Sequence, residues 1–147
     1  MILLPASVEA HMLEEARRGY PNEICGVLLG TPGEPRTVAV AHAARNLNTE
    51  RARDRYLLDP QDFLAADRRA RAIGVEVIGF YHSHPDHPAR PSETDRQHAA
   101  PWPGYSHIVI SVVGGTDCML KSFVLVEESQ QFVEEEVRVI PSAGTAA

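Results

Sequence analysis

Residues 75–100 read VEVIGFYHSHPDHPARPSETDRQHAA, and three kinds of local signal follow one another inside them. The run VEVIGFYHSH is apolar and rich in β-branched and aromatic residues, which is the pattern of a buried strand, and it runs straight into a polar segment. PDHPARPS is a loop stiffened by Pro85, Pro88 and Pro91. Ser92 then supplies an N-cap for a short helix, SETDRQHAA, which stops before Pro101. Residues two apart on a strand share a face, so His82 and His84 present two imidazoles side by side at the strand end. Asp95, on the first turns of the next helix, can add an oxygen. Two nitrogens and one oxygen leave the fourth tetrahedral position to water, which is the ligand pattern of a catalytic rather than a structural zinc.

The pattern gains weight only as its parts are combined. With seven His in 147 residues, some His-x-His arises by chance in roughly one chain in three. Requiring a carboxylate at one fixed later position cuts that chance about sevenfold, because 20 of the 147 residues are acidic. The strand before and the helix after narrow it further.

The flanking segments frame this unit. Ser7 reads as the N-cap of a helix, VEAHMLEEARRG, with Val8, Met12 and Ala16 on one face, Leu13 beside them, and an end near Gly19 and Pro21. EICGVLLG is a short apolar strand ended by Gly30, TPGEPR a turn, and TVAVAHAARN a second strand. ERARDR is a polar loop and YLLDP a short strand closed by Pro60. QDFLAADRRARAIG is a helix with Phe63, Ala66, Ala70 and Ile73 at helical spacing and Gly74 as C-cap. SHIVISVV, CMLKSFVLV and QFVEEEVRVI are three late strands able to pair as a meander. The expected fold is α+β, a single domain with a mixed or antiparallel sheet flanked by helices, spanning residues 1–140. The small, polar residues 141–147 form an expected frayed tail.

The bulk numbers exclude several functions. A formal net charge of −6 argues against a nucleic-acid surface and gives no attraction to anionic lipid. The acid cluster Glu127, Glu128, Glu134, Glu135, Glu136 reads as a solvated edge. Cys25 and Cys118 have no close Cys partner and sit in apolar runs, so two buried free thiols are expected. MILLPASVEA lacks a basic leader region, and nothing approaches the ~18 apolar residues of a membrane span. A cytoplasmic protein is expected.

His82-Ser83-His84-Pro85, followed by Ser92-Glu93-Thr94-Asp95, resembles the JAMM motif of the MPN-plus family, in which His-x-His is followed after ten residues by Asp; here residues 85–94 are those ten. The resemblance extends over most of the chain and implies an MPN/JAB fold of the cytidine-deaminase-like kind. It also implies a glutamate upstream at the start of a strand after the first helix, a place filled by Glu23 in PNEICGVLLG. On this resemblance His82, His84 and Asp95 hold one zinc, Glu23 is general base and then acid, and Ser92 stabilises the oxyanion as well as capping its helix. The chain is similar to compact bacterial or archaeal members and lacks the insertions of some eukaryotic deubiquitinases, including the one that binds a second zinc. The implied substrate is a ubiquitin-like sulfur-carrier protein with a Gly-Gly tail, cleaved to release an amino acid such as cysteine or a peptide. The tail is expected to add as a strand to a sheet edge. A metal-free scaffold of the same fold is the alternative, and metal content separates the two. A zinc deaminase would need a later Pro-Cys-x-x-Cys, which this sequence does not contain. No role falls to His87. Trp102 is either a packed turn anchor or a partner contact, and the loop with Arg51, Arg53 and Arg55 is either a solvated turn or a rim for an acidic carrier face.

Overall fold

A computed structural model describes residues 1–142. Its elements are β1 (Ile2–Pro5), α1 (Ala6–Gly19), β2 (Cys25–Thr31), β3 (Arg36–Ala44), α2 (Pro60–Ile73), β4 (Glu76–Pro85), α3 (Glu93–Ala99), β5 (Ser106–Val113), β6 (Asp117–Val126), β7 (Gln131–Glu135) and β8 (Val137–Ile140). The strands form one mixed eight-stranded sheet in the order β7-β6-β5-β4-β2-β3-β1-β8. The pairs β4–β5, β1–β3 and β1–β8 are parallel and the others antiparallel. The expected α+β class is the one observed. Among the described residues no helix is long and apolar enough to cross a membrane.

The sheet is covered by a helix on each face. Met12 and Ala16 of α1 pack with Ile2, Leu4, Leu28, Ile78, Ile108 and Ile110. Ala66 and Ala70 of α2 pack with Val27 and Leu29, and Phe63 joins them against Phe80. Alternation along β2 therefore sends Leu28 to one helix and its two neighbours to the other, as a period of two requires. Ile73, at the end of the expected apolar stripe, is instead 50% exposed.

One irregularity decides where the histidines point. On the partner strand Leu28 is opposite Gly79 but Leu29 is opposite Val77, so Ile78 is an extra residue, a β-bulge. Val77 packs on the α2 side and Ile78 on the α1 side. After the bulge Phe80 returns to the α2 side and Tyr81 to the α1 side. Strict alternation from Val77 would have put Tyr81 on the α2 face; the bulge moves Phe80 there, with His82 and His84 in step. Gly79 is required beside it, since a Cβ there would lie 2.2 Å from the carbonyl oxygen of Ser106.

Four local expectations change. Residues Ile2–Pro5, not assigned from sequence, form a strand because they pair in parallel with β3 and β8. Ser7 does not cap α1: Pro5 is the N-cap residue, and the Ser7 N–H donates to Ser142 Oγ at 2.7 Å. YLLDP is not a strand; Leu58 makes only an isolated bridge to Asn46. The run QFVEEEVRVI divides at Glu136 into β7 and β8, which pair at opposite edges of the sheet. Glu135 also departs from the solvated acid cluster, accepting hydrogen bonds from the hydroxyls of Ser106 at 2.6 Å and Ser122 at 2.7 Å. Both thiols are free; Cys25 is buried and Cys118 half-buried. Of the tail expected over 141–147, residues 143–147 lie outside the described residues.

Candidate active site

Three elements meet at the end of β4. His82 and His84 end that strand, Asp95 sits in α3, and Glu23 precedes β2, whose Cys25 lies opposite His82. The adjacent strand ends are locked to each other: the Ser83 N–H donates to the Ile24 carbonyl at 3.0 Å, and Ser83 Oγ accepts from the Ile24 N–H at 2.8 Å. That lock places Glu23 opposite His84.

The donor atoms converge. His82 Nε2 and His84 Nε2 lie 3.1 Å apart, and Asp95 Oδ2 lies 3.1 Å from the first and 3.0 Å from the second. Zinc bonds of ~2.0–2.1 Å at tetrahedral angles would separate neighbouring ligand atoms by ~3.3 Å, so these three atoms already form almost one face of such a tetrahedron. The donor set and its spacing fit zinc. All three side chains are buried, as is Glu23. Ligand atoms of Glu23, His82 and His84 lie within 4.8 Å of one another. Yet Glu23 Oε1 has no hydrogen-bond partner among the described residues. A buried carboxylate oxygen in that state is costly, and such orphans are concentrated where chemistry needs them.

The surroundings set orientation and charge. The His84 Nδ1–H donates to the Pro88 carbonyl at 3.1 Å, which turns Nε2 towards Asp95. Tyr56 stacks on the His82 ring with centroids 4.6 Å apart. Burial works against the imidazolium at both histidines; it prevails at His82, whose pKa falls, while Asp95 raises that of His84. Burial also opposes ionisation of Asp95, but His82, hydrogen bonds from both imidazoles and the Ser92 N–H hold its carboxyl well below the usual range. At Glu23 burial outweighs the opposing charges of His84 and Arg55 and pushes its carboxyl up to about 8.

Ser92 is the N-cap of α3 in a capping box: its Oγ accepts from the Asp95 N–H at 3.1 Å, and its own N–H donates to Asp95 Oδ2 at 2.8 Å. Capping uses the oxygen as acceptor and leaves the hydroxyl proton free to donate. The capping and oxyanion roles are therefore compatible in one side chain.

Two clefts flank the centre. An apolar cleft of about 330 Å³ is lined by Tyr56, Leu57, Phe63, Phe80, Trp102 and His107 among others. Trp102 packs there against Phe63, Phe80 and Tyr105 with ring centroids 5.0–5.3 Å apart, so it both anchors its turn and lines the cleft. Burial lowers the His107 pKa to about 4, which leaves that wall uncharged at neutral pH. A polar cleft of about 350 Å³ is lined by Glu23, Asp54, Arg55, His84, His87, Arg90 and Ser92 between Pro88 and Pro91.

Four contributors were not legible as site residues in the sequence. Ser83 ties Glu23's strand to the histidine strand. Tyr56 backs His82. Asn46 donates to the carbonyls of Glu23 and Arg55, both at 3.1 Å, and accepts from the N–H groups of Asn48 and Leu57, both at 3.0 Å. The Glu23 N–H donates to Ala52 at 2.6 Å, so the 46–57 loop clamps the glutamate's backbone. Arg90 lines the polar cleft. A hydrophilic residue closing a loop on itself, like Asn46, was the one signal available for the third of these.

Comparison with known proteins agrees with this geometry. Residues 5–126 match the family described as prokaryotic homologs of the JAB domain. The desampylase of Haloferax volcanii is 40% identical over 108 residues, covering 74% of this chain and 76% of that protein. The CysO-cysteine peptidase of Mycobacterium tuberculosis is 30% identical over 140 residues, covering 95% of this chain and 92% of its own. A protein of Desulfitobacterium hafniense solved in solution superimposes with a TM-score of 0.85 at 32% identity, covering 98% of this chain and 96% of that one. Sequence match, fold and the buried histidine–carboxylate cluster agree, and the chain belongs to the prokaryotic JAB-domain family of JAMM-type metallopeptidases.

Proposed function

We propose that this protein is a zinc-dependent peptidase that hydrolyses the amide bond after the C-terminal Gly-Gly of a ubiquitin-like sulfur-carrier protein. One observation carries the reading: three buried donor atoms converge to 3.0–3.1 Å beside a buried carboxylate oxygen with no partner. His82, His84 and Asp95 hold the metal. Glu23 stands further out, without a hydrogen bond to either imidazole, and is the proton carrier rather than a ligand. When bound, zinc supplies a Lewis acid and lowers the pKa of water. Glu23 accepts the proton of the attacking water and delivers it to the leaving nitrogen. A carboxyl raised by burial is suited to both halves of that transfer. The Ser92 hydroxyl donates to the oxyanion that develops at the scissile carbonyl.

The substrate class is carried over from the relatives named desampylase and CysO-cysteine peptidase. A substrate with its own fold would offer a thin tail to the centre. The test is cleavage, by zinc-loaded protein, of a sulfur carrier extended past Gly-Gly beside the same extended carrier with Gly-Gly changed to Ala-Ala. Loss of cleavage with Ala-Ala is expected; equal cleavage of both would refute tail reading. A scaffold role would instead show as purified protein without stoichiometric zinc.

A further inference from the structure

The polar cleft holds a cation that the centre itself does not use. Asp54, also in that cleft, is already paired: Arg51 reaches it through Nε at 3.2 Å and Nη2 at 2.5 Å, and Arg55 approaches to 3.7 Å. Arg90 differs. Its backbone N–H donates to the Pro88 carbonyl at 2.9 Å, which fixes the turn between Pro88 and Pro91. Its guanidinium has no hydrogen bond or ion pair among the described residues; the residue is exposed and borders both the cleft of Glu23, His84 and Ser92 and a neighbouring depression with Glu93 and Phe132. A planar guanidinium with five donors is suited to bidentate capture of a carboxylate.

The chemistry of the reaction orients the substrate across the centre. The C–N bond breaks, the hydroxyl of water joins the acyl carbon, and the nitrogen gains a proton. That proton comes from Glu23, so the leaving nitrogen must lie on the Glu23 side. The acyl chain then departs towards the apolar cleft behind Tyr56. An α-amino acid as leaving group carries a carboxylate one carbon from its nitrogen. A lysine side chain of an acceptor protein carries four methylenes and no carboxylate there, and would be matched by an apolar channel.

We propose that the polar cleft is the leaving-group subsite and that Arg90 binds a free carboxylate in it, so that the amine released is a single α-amino acid rather than a lysine of another protein. The inference rests on the peptidase reading for its orientation. The volume of about 350 Å³ and the stiff proline walls suit a single residue.

Three substrates on one sulfur carrier test it: Gly-Gly followed by alanine with a free carboxylate, the same with alaninamide, and Gly-Gly joined to the ε-amine of an N-acetyl-lysine amide. The free acid should exceed both others in kcat/KM by ~10–100-fold, the range of a charge-assisted hydrogen bond. Arg90→Gln should bring the acid down to the level of the amide while leaving the amide unchanged, and Arg90→Lys should restore part of the preference. Equal cleavage of acid and amide by the wild type, or an equal fall for both in Arg90→Gln, overturns the proposal. A second readout does not depend on turnover. Titration of the zinc-loaded protein with alanine should shift the Arg90 Nε–H resonance, and titration with alaninamide should not. An identical response to both overturns the subsite. If no carrier is cleaved, the peptidase reading fails while the titration still decides the subsite.

Discussion

The two clefts beside the histidines are nearly equal in volume and opposite in character. One is walled by Phe63, Phe80, Trp102 and a neutral His107; the other by Glu23, His87, Arg90 and Ser92. Each borders one of the two imidazoles, since Tyr56 of the apolar wall stacks on His82 and the polar wall includes His84. The difference teaches a division of labour. Apolar area contributes affinity in proportion to surface and is indifferent to where charge moves. Oriented donors and proton carriers act on the transition state. On the proposed function, binding of the carrier would fall to one side and bond cleavage to the other.

Removing what the two sides share should have the largest effect. His82→Ala and Asp95→Ala should each lose zinc and bring turnover to background, checked by metal content and kinetics; full zinc retention in both would show the ligands to be misassigned. Next comes the polar side. Glu23→Gln should keep zinc and substrate binding and lose ~10²–10⁴-fold in turnover. The same variant carries a pH signature in the metal-free protein. Burial holds the folded carboxyl up at about 8, against an ordinary value near ~4.3 in the unfolded chain. Between those values the folded state binds the extra proton, so wild-type stability falls as pH rises through that window. Chelator-treated Glu23→Gln should match wild type in unfolding free energy near pH ~4 and exceed it near pH ~8 by on the order of 1–3 kcal/mol. A gain that is independent of pH would show that desolvation of the carboxylate is not its source.

Ser92→Ala should lower turnover ~10²–10³-fold through the lost oxyanion donor and cost ~0.5–2 kcal/mol of stability through the lost cap. Unchanged turnover with a lowered Tm would leave only the cap. The apolar side should respond differently. Leu57 is 52% exposed and lines that cleft, so Leu57→Ser should raise KM about tenfold with kcat and Tm nearly unchanged. A fall in kcat alone would erase the division between the clefts. The smallest effect belongs to the loop rim. Arg53→Gln should slow carrier capture a few-fold at low salt and not at high salt, measured as kcat/KM against ionic strength.

Legibility in the sequence followed the distance over which a signal acts. β4, the proline loop and α3 were readable because strand alternation, loop prolines and an N-cap are local, and the proposed ligands His82, His84 and Asp95 lie within that one span. β1 was not, because four residues become a strand only by pairing with β3 and β8. The apolar run at Tyr56 looked like another strand, yet the side chains serve a cleft wall and the backbone is claimed by Asn46. The late acidic strand was legible as extended but not as the shared border of two sheet edges. Within the site, Glu23 was reached through resemblance, whereas Ser83, Tyr56, Asn46 and Arg90 act through contacts across the fold that no spacing rule encodes.

The extra residue at Ile78 carries a further consequence, for how such proteins diverge. Side-chain direction along β4 is a matter of parity, and the bulge is the single odd count that turns Phe80, His82 and His84 to one side. Deleting the Tyr81 codon, beyond the bulge, would leave every motif residue and its spacing untouched in the reading frame. It would nevertheless bring His82 opposite Gly26 and turn both imidazoles into the packing beneath α1, or force the strand out of register. A gene could thus keep the whole signature and encode a protein without a metal centre, and inheritance of function in this lineage would be tracked better by strand phase than by the motif.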